Sequence, residues 1–140
     1  MDNKLDLSAL QKAISVFGQS CNLWEEMAPT IKNKALLDTL RAGVIQTFEF
    51  TYELCWKFMK RWIEMNVNSE GIDGVSRREL FRVSAECGMI DDLPLWMEFH
   101  AARNKSSHIY DEDIAEEVLQ AAVKFQECAA DFLNRLEKKL

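Results

Sequence analysis

The residues best suited to chemistry in this sequence lie in one short segment between two predicted helices. Arg103 and His108 are five positions apart, with Asn104 directly after the arginine and Tyr110 two positions after the histidine. A guanidinium binds phosphate oxygens through paired hydrogen bonds, and an imidazole with an ordinary pKa of ~6.5 exchanges protons near neutral pH. Metal-free RNA cleavage needs such a pair, because the ribose 2′-hydroxyl loses its proton while charge builds on the phosphorus oxygens.

Arg103 and His108 can act together only if the chain leaves the helix between them. On a continuous helix, five positions correspond to a rotation of roughly 140°, so the two side chains would lie on different faces. The sequence Lys105-Ser-Ser107, followed by an acidic helix cap at Asp111, predicts a break there. Asn104 and Ser107 would then be supporting groups that position a substrate. From spacing alone, a helix-capping histidine and a surface arginine remain the alternative.

Two carboxylates precede this segment on the longest predicted helix. Glu49 and Glu53 are four positions apart and share one helical face, close to Trp56. Since no histidine or aspartate stands near them in sequence, we expect a structural, cleft or interface role, with pairing to Arg103 or to other basic residues, and predict neither a metal site nor a cofactor. Five aromatic residues of this helix are interpreted as core and dimer interface, and not as a platform on which bases stack: Phe48, Phe50, Tyr52, Trp56 and Trp62. His100 is interpreted as incidental.

Apolar residues recur at helical spacing through the whole chain, which predicts about five helices. The first helix should end before Pro29, and the second should run from about Asn33 to Met65. The later boundaries follow from local signals, namely a capping box at Ser76-Arg-Arg-Glu79, a stop at Gly88, a start at Asp91 or Asp92 before Pro94, and a start at Asp111. We therefore predict an all-α fold, an up-and-down antiparallel helical bundle forming one domain over residues 1–140.

Composition narrows the class of function. The net charge of −6 argues against broad, nonspecific binding to nucleic acid. Residues 57–105 nevertheless carry 8 bases against 8 acids, so either a local basic surface or simple solvated helix faces lie there. The four cysteines are spaced as free buried thiols, and the sequence shows no secretory signal and no apolar run long enough for a membrane. A cytoplasmic protein without membrane contact is expected.

Two separated motifs resemble one known family. Arg103-Asn-Lys-Ser-Ser-His108-Ile-Tyr110 is similar to the R-N-x-x-x-H-x-Y signature of HEPN domains. Gln46-Thr-Phe-Glu49-Phe-Thr-Tyr-Glu53-Leu-Cys-Trp56-Lys57 resembles the Q-x-F-E-F-T-x-E-L-x-W-K stretch of the HEPN branch called nucleotidyltransferase substrate-binding proteins. The resemblance extends from about Ala35 to the end of the chain, and the first helix is similar only in pattern.

The resemblance implies a partner and a set of roles. Such proteins are helical homodimers that bring two Arg/His motifs to a shared cleft and form a complex with a minimal nucleotidyltransferase. In the toxins of the family, the residues matching Arg103 and His108 cleave RNA without metal, and the one matching Asn104 assists. The partner transfers AMP to the tyrosine matching Tyr110, which silences the toxin.

The branch itself was named for presenting a substrate, so a subunit that binds RNA or a nucleotide without turnover is the alternative. The chain lacks a Gly-rich phosphate loop and a Gly-Ser dipeptide followed by paired aspartates. We therefore expect that it is not the nucleotidyltransferase itself.

Overall fold

The computed structural model describes residues 5–68 and 70–140, and these fold into five α-helices joined by short links. No β-strand occurs among the described residues, which confirms the predicted all-α class. Two single turns of 3₁₀ helix, Ala28–Thr30 and Ser106–His108, lie between helices. The α-helices are α1 (Ser8–Met27), α2 (Lys34–Asn66), α3 (Arg77–Glu86), α4 (Leu93–Lys105) and α5 (Glu112–Lys138).

Helix α2 is the spine of the bundle. Its 33 residues span roughly 50 Å, and it packs against α1, α3, α4 and α5. Helix α5 completes the bundle by packing against α1 and α4, while α3 packs on α4. Short links between long helices favour antiparallel neighbours, so this arrangement is the predicted up-and-down bundle.

The ring of Phe125 on α5 lies at the centre of the core. It contacts aromatic rings from three other helices, with centroid distances of 4.8 Å to Phe99, 5.4 Å to Phe48 and 5.8 Å to Phe17. All four rings are fully buried. Because aromatic side chains bury large apolar areas and pack edge to face, this cluster fixes α1, α2, α4 and α5 relative to one another.

Helix starts follow the predicted caps. The side chain of Asn33 accepts a hydrogen bond from the Leu36 amide, and those of Asp92 and Asp111 do the same at the starts of α4 and α5. Ser76 caps α3 by accepting from the Glu79 amide at 3.1 Å. The second half of the predicted capping box is wrong, because the Glu79 carboxylate binds the Arg82 guanidinium instead of the Ser76 amide.

Helix α3 stops as predicted at Gly88. This glycine has φ of +80°, a left-handed conformation that side chains disfavour. Its amide bonds to the Ala85 carbonyl at 3.0 Å, and the Met89 amide bonds to the Ser84 carbonyl at 2.9 Å. These two bonds form a Schellman motif, which satisfies the last carbonyls of the helix.

Burial departs from the predictions at several positions. Phe50 is 62% exposed and therefore not part of the core, and Trp56 and Trp62 are only half-buried. All four cysteines are free, but Cys87 and Cys128 are half-buried rather than buried. Burial still raises the pKa of the Cys128 thiol to about 11, so it is protonated at neutral pH. Within the described residues, no helix is both long and apolar enough to cross a membrane.

Candidate functional site

The chain leaves the α-helix between Arg103 and His108, as predicted. Helix α4 ends at Lys105, the 3₁₀ turn Ser106–His108 follows, and Asp111 caps the start of α5. Arg103 therefore projects from the last turn of α4, while His108 ends the 3₁₀ turn. The sequence therefore predicted that the α-helix ends between these two side chains.

Two carboxylates from α2 hold the Arg103 guanidinium. Its Nε atom donates to the Glu53 Oε1 atom at 3.2 Å, and its Nη1 atom donates to the Glu49 Oε2 atom at 3.0 Å. The predicted pairing of Glu49 and Glu53 with Arg103 is therefore confirmed. Among the described residues, none accepts a hydrogen bond from the Nη2 atom. Both N–H donors of this atom can therefore bind a ligand.

Ser106 completes this network. Its buried Oγ atom accepts from the Arg103 Nη1 atom at 3.1 Å and lies within hydrogen-bond distance of the Glu49 carboxylate and the Arg103 carbonyl. Sequence reasoning selected Ser107, which is exposed on the 3₁₀ turn, and its positioning role stays a prediction. The available signal was spacing, since Ser106 is one helical turn after Arg103.

A groove with a volume of about 350 Å³ runs beside Arg103. Trp56 sits next to it and donates from Nε1 to the Glu53 Oε2 atom at 3.0 Å, so the two oxygens of Glu53 join the indole to the guanidinium. Two cations, Lys57 and Arg103, face two carboxylates here. Its lining residues are Gln46, Glu49, Phe50, Glu53, Leu54, Lys57 and Arg103.

His108 and Tyr110 form an exposed pair. The His108 Nδ1 atom lies 3.2 Å from the Tyr110 hydroxyl, and the two rings meet edge to face at 5.8 Å. Tyr110 is 85% exposed, so its hydroxyl is accessible to another protein. Within the described part of the chain, Arg103 and His108 share no hydrogen bond, and their convergence on one substrate stays a prediction.

His100 contacts the buried Tyr52, which the sequence did not predict, and its incidental role in the site stays a prediction. The Tyr52 hydroxyl lies 2.7 Å from the His100 Nδ1 atom. Burial raises the pKa of Tyr52 well above its usual value of 10.0, so the phenol keeps its proton. Burial, assisted by the charge of Arg77, lowers the pKa of His100, so the imidazole is neutral near pH 7.

The His100 Nε2 atom lies 3.5 Å from the Asn104 amide, at the outer limit of a hydrogen bond. His100 therefore joins the buried Tyr52 to the signature segment. Sequence could have suggested this link, because His100 and Asn104 are four positions apart on one face of α4.

Fold and site together define a class of protein: a helical bundle in which the longest helix presents paired carboxylates to an Arg-Asn-x-x-x-His segment. The family model described as "Nucleotidyltransferase substrate binding protein like" matches residues 5–138. The chain belongs to this family, as the motifs of α2 and the α4–α5 junction predicted.

Known proteins of similar sequence and structure agree with this assignment. A "Probable ribonuclease HepT" of Haemophilus influenzae is 36% identical over 121 residues, which is 82% of this chain and 80% of the relative. A solved H. influenzae structure, described as revealing the fold of a substrate binding domain of a nucleotidyltransferase, superposes with a TM-score of 0.88 at 29% identity. That match covers 94% of this chain and 99% of the other.

A second solved structure, of a protein from Thermus thermophilus, shares the fold. It superposes with a TM-score of 0.70 at 22% identity and covers 91% of this chain and 98% of its own. At this level of identity the likeness concerns the fold alone.

Among the described residues, no group of three or more His, Cys, Asp or Glu side chains is arranged to hold a metal ion.

Proposed function

We propose that this chain is the substrate-binding or toxin subunit of a two-component system with a minimal nucleotidyltransferase, and that it cleaves RNA without metal at Arg103 and His108. The observation that carries the proposal is the Arg103 guanidinium, which Glu49, Glu53 and Ser106 hold at a groove, with its Nη2 atom unpaired in the part of the chain that the structure describes. The relative named a probable ribonuclease supports the activity. The four free thiols fit a reducing cytoplasm.

The proposed reaction is a transesterification within the RNA strand. His108 takes the proton of a ribose 2′-hydroxyl, and the 2′-oxygen attacks the adjacent phosphorus while the bond from phosphorus to the 5′-oxygen breaks. The leaving 5′-oxygen takes a proton from water or from the protonated His108, so the products are a 2′,3′-cyclic phosphate and a 5′-hydroxyl. The Arg103 Nη2 edge stabilises the charge that builds on the phosphorus oxygens, and Asn104 and Ser107 position the strand.

The carboxylates around Arg103 explain why one motif alone is a weak anion site. Glu49 and Glu53 neutralise the guanidinium within one chain while they fix its orientation. In the proposed homodimer, two Arg/His motifs face one cleft, so a phosphate meets two guanidinium edges. The exposed Phe50, which lines the groove and an apolar surface between α1 and α2, supports a subunit contact beside the site.

Tyr110 is the proposed acceptor of AMP from the nucleotidyltransferase. Its phenol oxygen would attack the α-phosphorus of ATP, lose its proton and release pyrophosphate. The distance of 3.2 Å from that oxygen to the His108 Nδ1 atom supports a direct mechanism of silencing. The added phosphate would lie against the imidazole and occupy the position that an RNA phosphate needs.

The test is cleavage of total RNA by the purified protein in EDTA, compared with His108→Ala. We expect cleavage by the wild type and its loss in the variant by about 100-fold or more. Circular dichroism and gel filtration establish that both proteins are folded dimers. Cleavage that survives in His108→Ala contradicts the assigned role.

A non-enzymatic subunit is the second candidate, and two observations favour it. Arg103 is already paired with two carboxylates, and the family description refers to substrate binding. In this case Arg103 and His108 grip a phosphate and present the substrate to the nucleotidyltransferase without turnover. No RNA cleavage at any pH, together with partner binding that survives replacement of both residues by alanine, would favour this candidate.

A further inference from the structure

A second arginine stands beside the site in an unusual setting. The Arg77 Cζ atom lies only 3.5 Å from the centroid of the Trp56 ring, so the guanidinium stacks on the indole. Arg77 is the first residue of α3, directly after the Ser76 cap, and is half-buried. Stacking of this kind fixes the orientation of the guanidinium without using any of its hydrogen-bond donors.

Arg77 has no counter-ion among the described residues. Four other arginines, Arg41, Arg82, Arg103 and Arg135, each pair with at least one carboxylate. The Arg77 Nε atom is buried and has no hydrogen-bond partner within the described residues. The side chain as a whole is only half-buried, so a rigid cation without a counter-ion among the described residues is suited to receive an anion.

Arg77 and Arg103 are close enough to act on the same side chain, Tyr52. Both guanidinium groups act on the Tyr52 hydroxyl, where each opposes the rise in pKa caused by burial. A continuous chain of contacts also joins them, from Arg103 to the Glu53 carboxylate, from Glu53 to the Trp56 indole, and from the indole to Arg77. The two arginines are therefore separated by one carboxylate and one indole.

The remaining bases of residues 57–105 differ in their surroundings, and of these Arg61 and Arg78 are exposed and form no ion pair among the described residues. Lys60, Arg82 and Lys105 are paired with acids elsewhere, as solvated helix faces would be. Lys57 instead lines the groove and lies 5.7 Å from the Trp56 ring centroid. With Arg77 and Arg103, it makes three cations around Trp56, against the two carboxylates of Glu49 and Glu53.

We infer that the Trp56–Arg77 stack, meaning the Trp56 indole with the Arg77 guanidinium on it, is a second phosphate-binding subsite. It takes a phosphodiester of the RNA strand that neighbours the one bound at Arg103, and this inference rests on the proposed function in RNA binding. Arg77 binds and does not catalyse: its Nη atoms form the charge-assisted hydrogen bonds that phosphate oxygens accept. Trp56 holds the guanidinium in place.

The experiment measures binding of a fluorescent 2′-O-methyl oligonucleotide, which cannot be cleaved because its 2′-oxygens are blocked. Arg77→Gln is compared with Arg78→Gln, which removes the same charge from the adjacent, exposed position. We expect Arg77→Gln to weaken binding by about tenfold and Arg78→Gln by much less. Loss of one phosphate contact should also make the slope of log K against log salt shallower by about 0.7 in Arg77→Gln only.

Equal losses in the two variants, an unchanged salt slope in Arg77→Gln, or no binding of the oligonucleotide by the wild type would each overturn the subsite. Arg77→Lys keeps the charge but loses the flat stack, and we expect it to bind with intermediate affinity. Melting curves establish that each variant is folded.

Titration with AMP distinguishes the source of the phosphate. If Arg77→Gln weakens binding of AMP but not of the oligonucleotide, the assignment to an RNA strand is wrong. The cleavage test of His108→Ala is separate, so failure of the subsite and failure of the proposed ribonuclease activity are distinguishable.

Discussion

Among the described residues, two arginines pair with carboxylates of another helix, and their contacts differ. Arg41 on α2 is buried, and its Nη1 and Nη2 atoms donate to the two oxygens of Glu112 at 2.9 Å and 3.1 Å, with Asp38 and Glu116 also within ion-pair distance. Arg103 on α4 has 32% of its side chain exposed and divides its bonds between Glu49 and Glu53. In the first pair, both Nη atoms of the guanidinium bind one carboxylate. In the second, the Nη2 atom has no acceptor among the described residues.

The difference separates a structural contact from a binding site. The Arg41 pair joins the start of α2 to the start of α5 and stands away from the groove beside Arg103. A guanidinium held through Nε and Nη1 has a fixed orientation and still presents Nη2 to a ligand. We conclude that the carboxylates around Arg103 orient it, whereas Glu112 satisfies Arg41.

Replacing Arg103 should give the largest effect on activity. Arg103→Ala removes the group that stabilises charge on the phosphorus, and we expect RNA cleavage to fall by about 100- to 1,000-fold. The measurement is the initial rate of cleavage of a defined RNA in EDTA. Arg41→Ala is the matched control and should retain the wild-type rate when compared at a temperature where both are folded. Equal rates in the two variants would remove the distinction between these arginines.

Replacing Arg41 should lower the stability of the fold more than replacing Arg103 does. Arg41→Ala breaks a contact between α2 and α5 that is buried on the arginine side, and we expect a loss of about 2 kcal/mol in the free energy of unfolding. For a chain of 140 residues, this loss corresponds to a fall in melting temperature of roughly 5–8 °C. Arg103→Ala should lower it by less, because the Arg103 side chain is 32% exposed against 10% for Arg41. A larger fall in Arg103→Ala would show that Arg103 is the structural residue.

A smaller effect concerns pH. Hydrogen bonding to Arg41 lowers the pKa of Glu112 from 4.5 to about 2. Because the folded protein binds this proton less readily than the unfolded chain, the contribution of Glu112 is complete above pH ~4.5 and disappears as pH falls towards 2.

In Glu112→Gln, the free energy of unfolding should depend less on pH between about 4.5 and 2 than it does in the wild type. Urea unfolding between pH 5 and 2 measures the effect, with Glu127→Gln on an exposed part of α5 as the control. An identical pH dependence in the wild type and Glu112→Gln would contradict the strength of the Arg41 contact.

The sequence predicted those features that depend on local signals. The start of α2 at about Asn33, the cap at Asp111 and the break after Lys105 come from short-range preferences, and the pairing with Arg103 was expected because Glu49 and Glu53 share one helical face. Helical spacing also predicted the bundle, because a periodic apolar face has to be buried.

The features that were missed depend on contacts between helices. The bond between His100 and Tyr52 joins α4 to α2, and the stack of Arg77 on Trp56 joins α3 to α2. Neither follows from spacing along the chain, because the packing angle of the helices decides which side chains meet. Phe50 was assigned to the core and dimer interface, and its 62% exposure rules out the core, while the interface role stays a prediction.

The most direct test of the central claim is the chemistry of the RNA ends. An RNA with a single unblocked ribose among 2′-O-methyl nucleotides is incubated in EDTA with the wild type and with His108→Ala, and the products are separated by mass. Our account predicts a break only at the unblocked position, a 2′,3′-cyclic phosphate on one product, a 5′-hydroxyl on the other, and no break with His108→Ala. No cleavage by the folded wild-type dimer, or equal cleavage by His108→Ala, would contradict it.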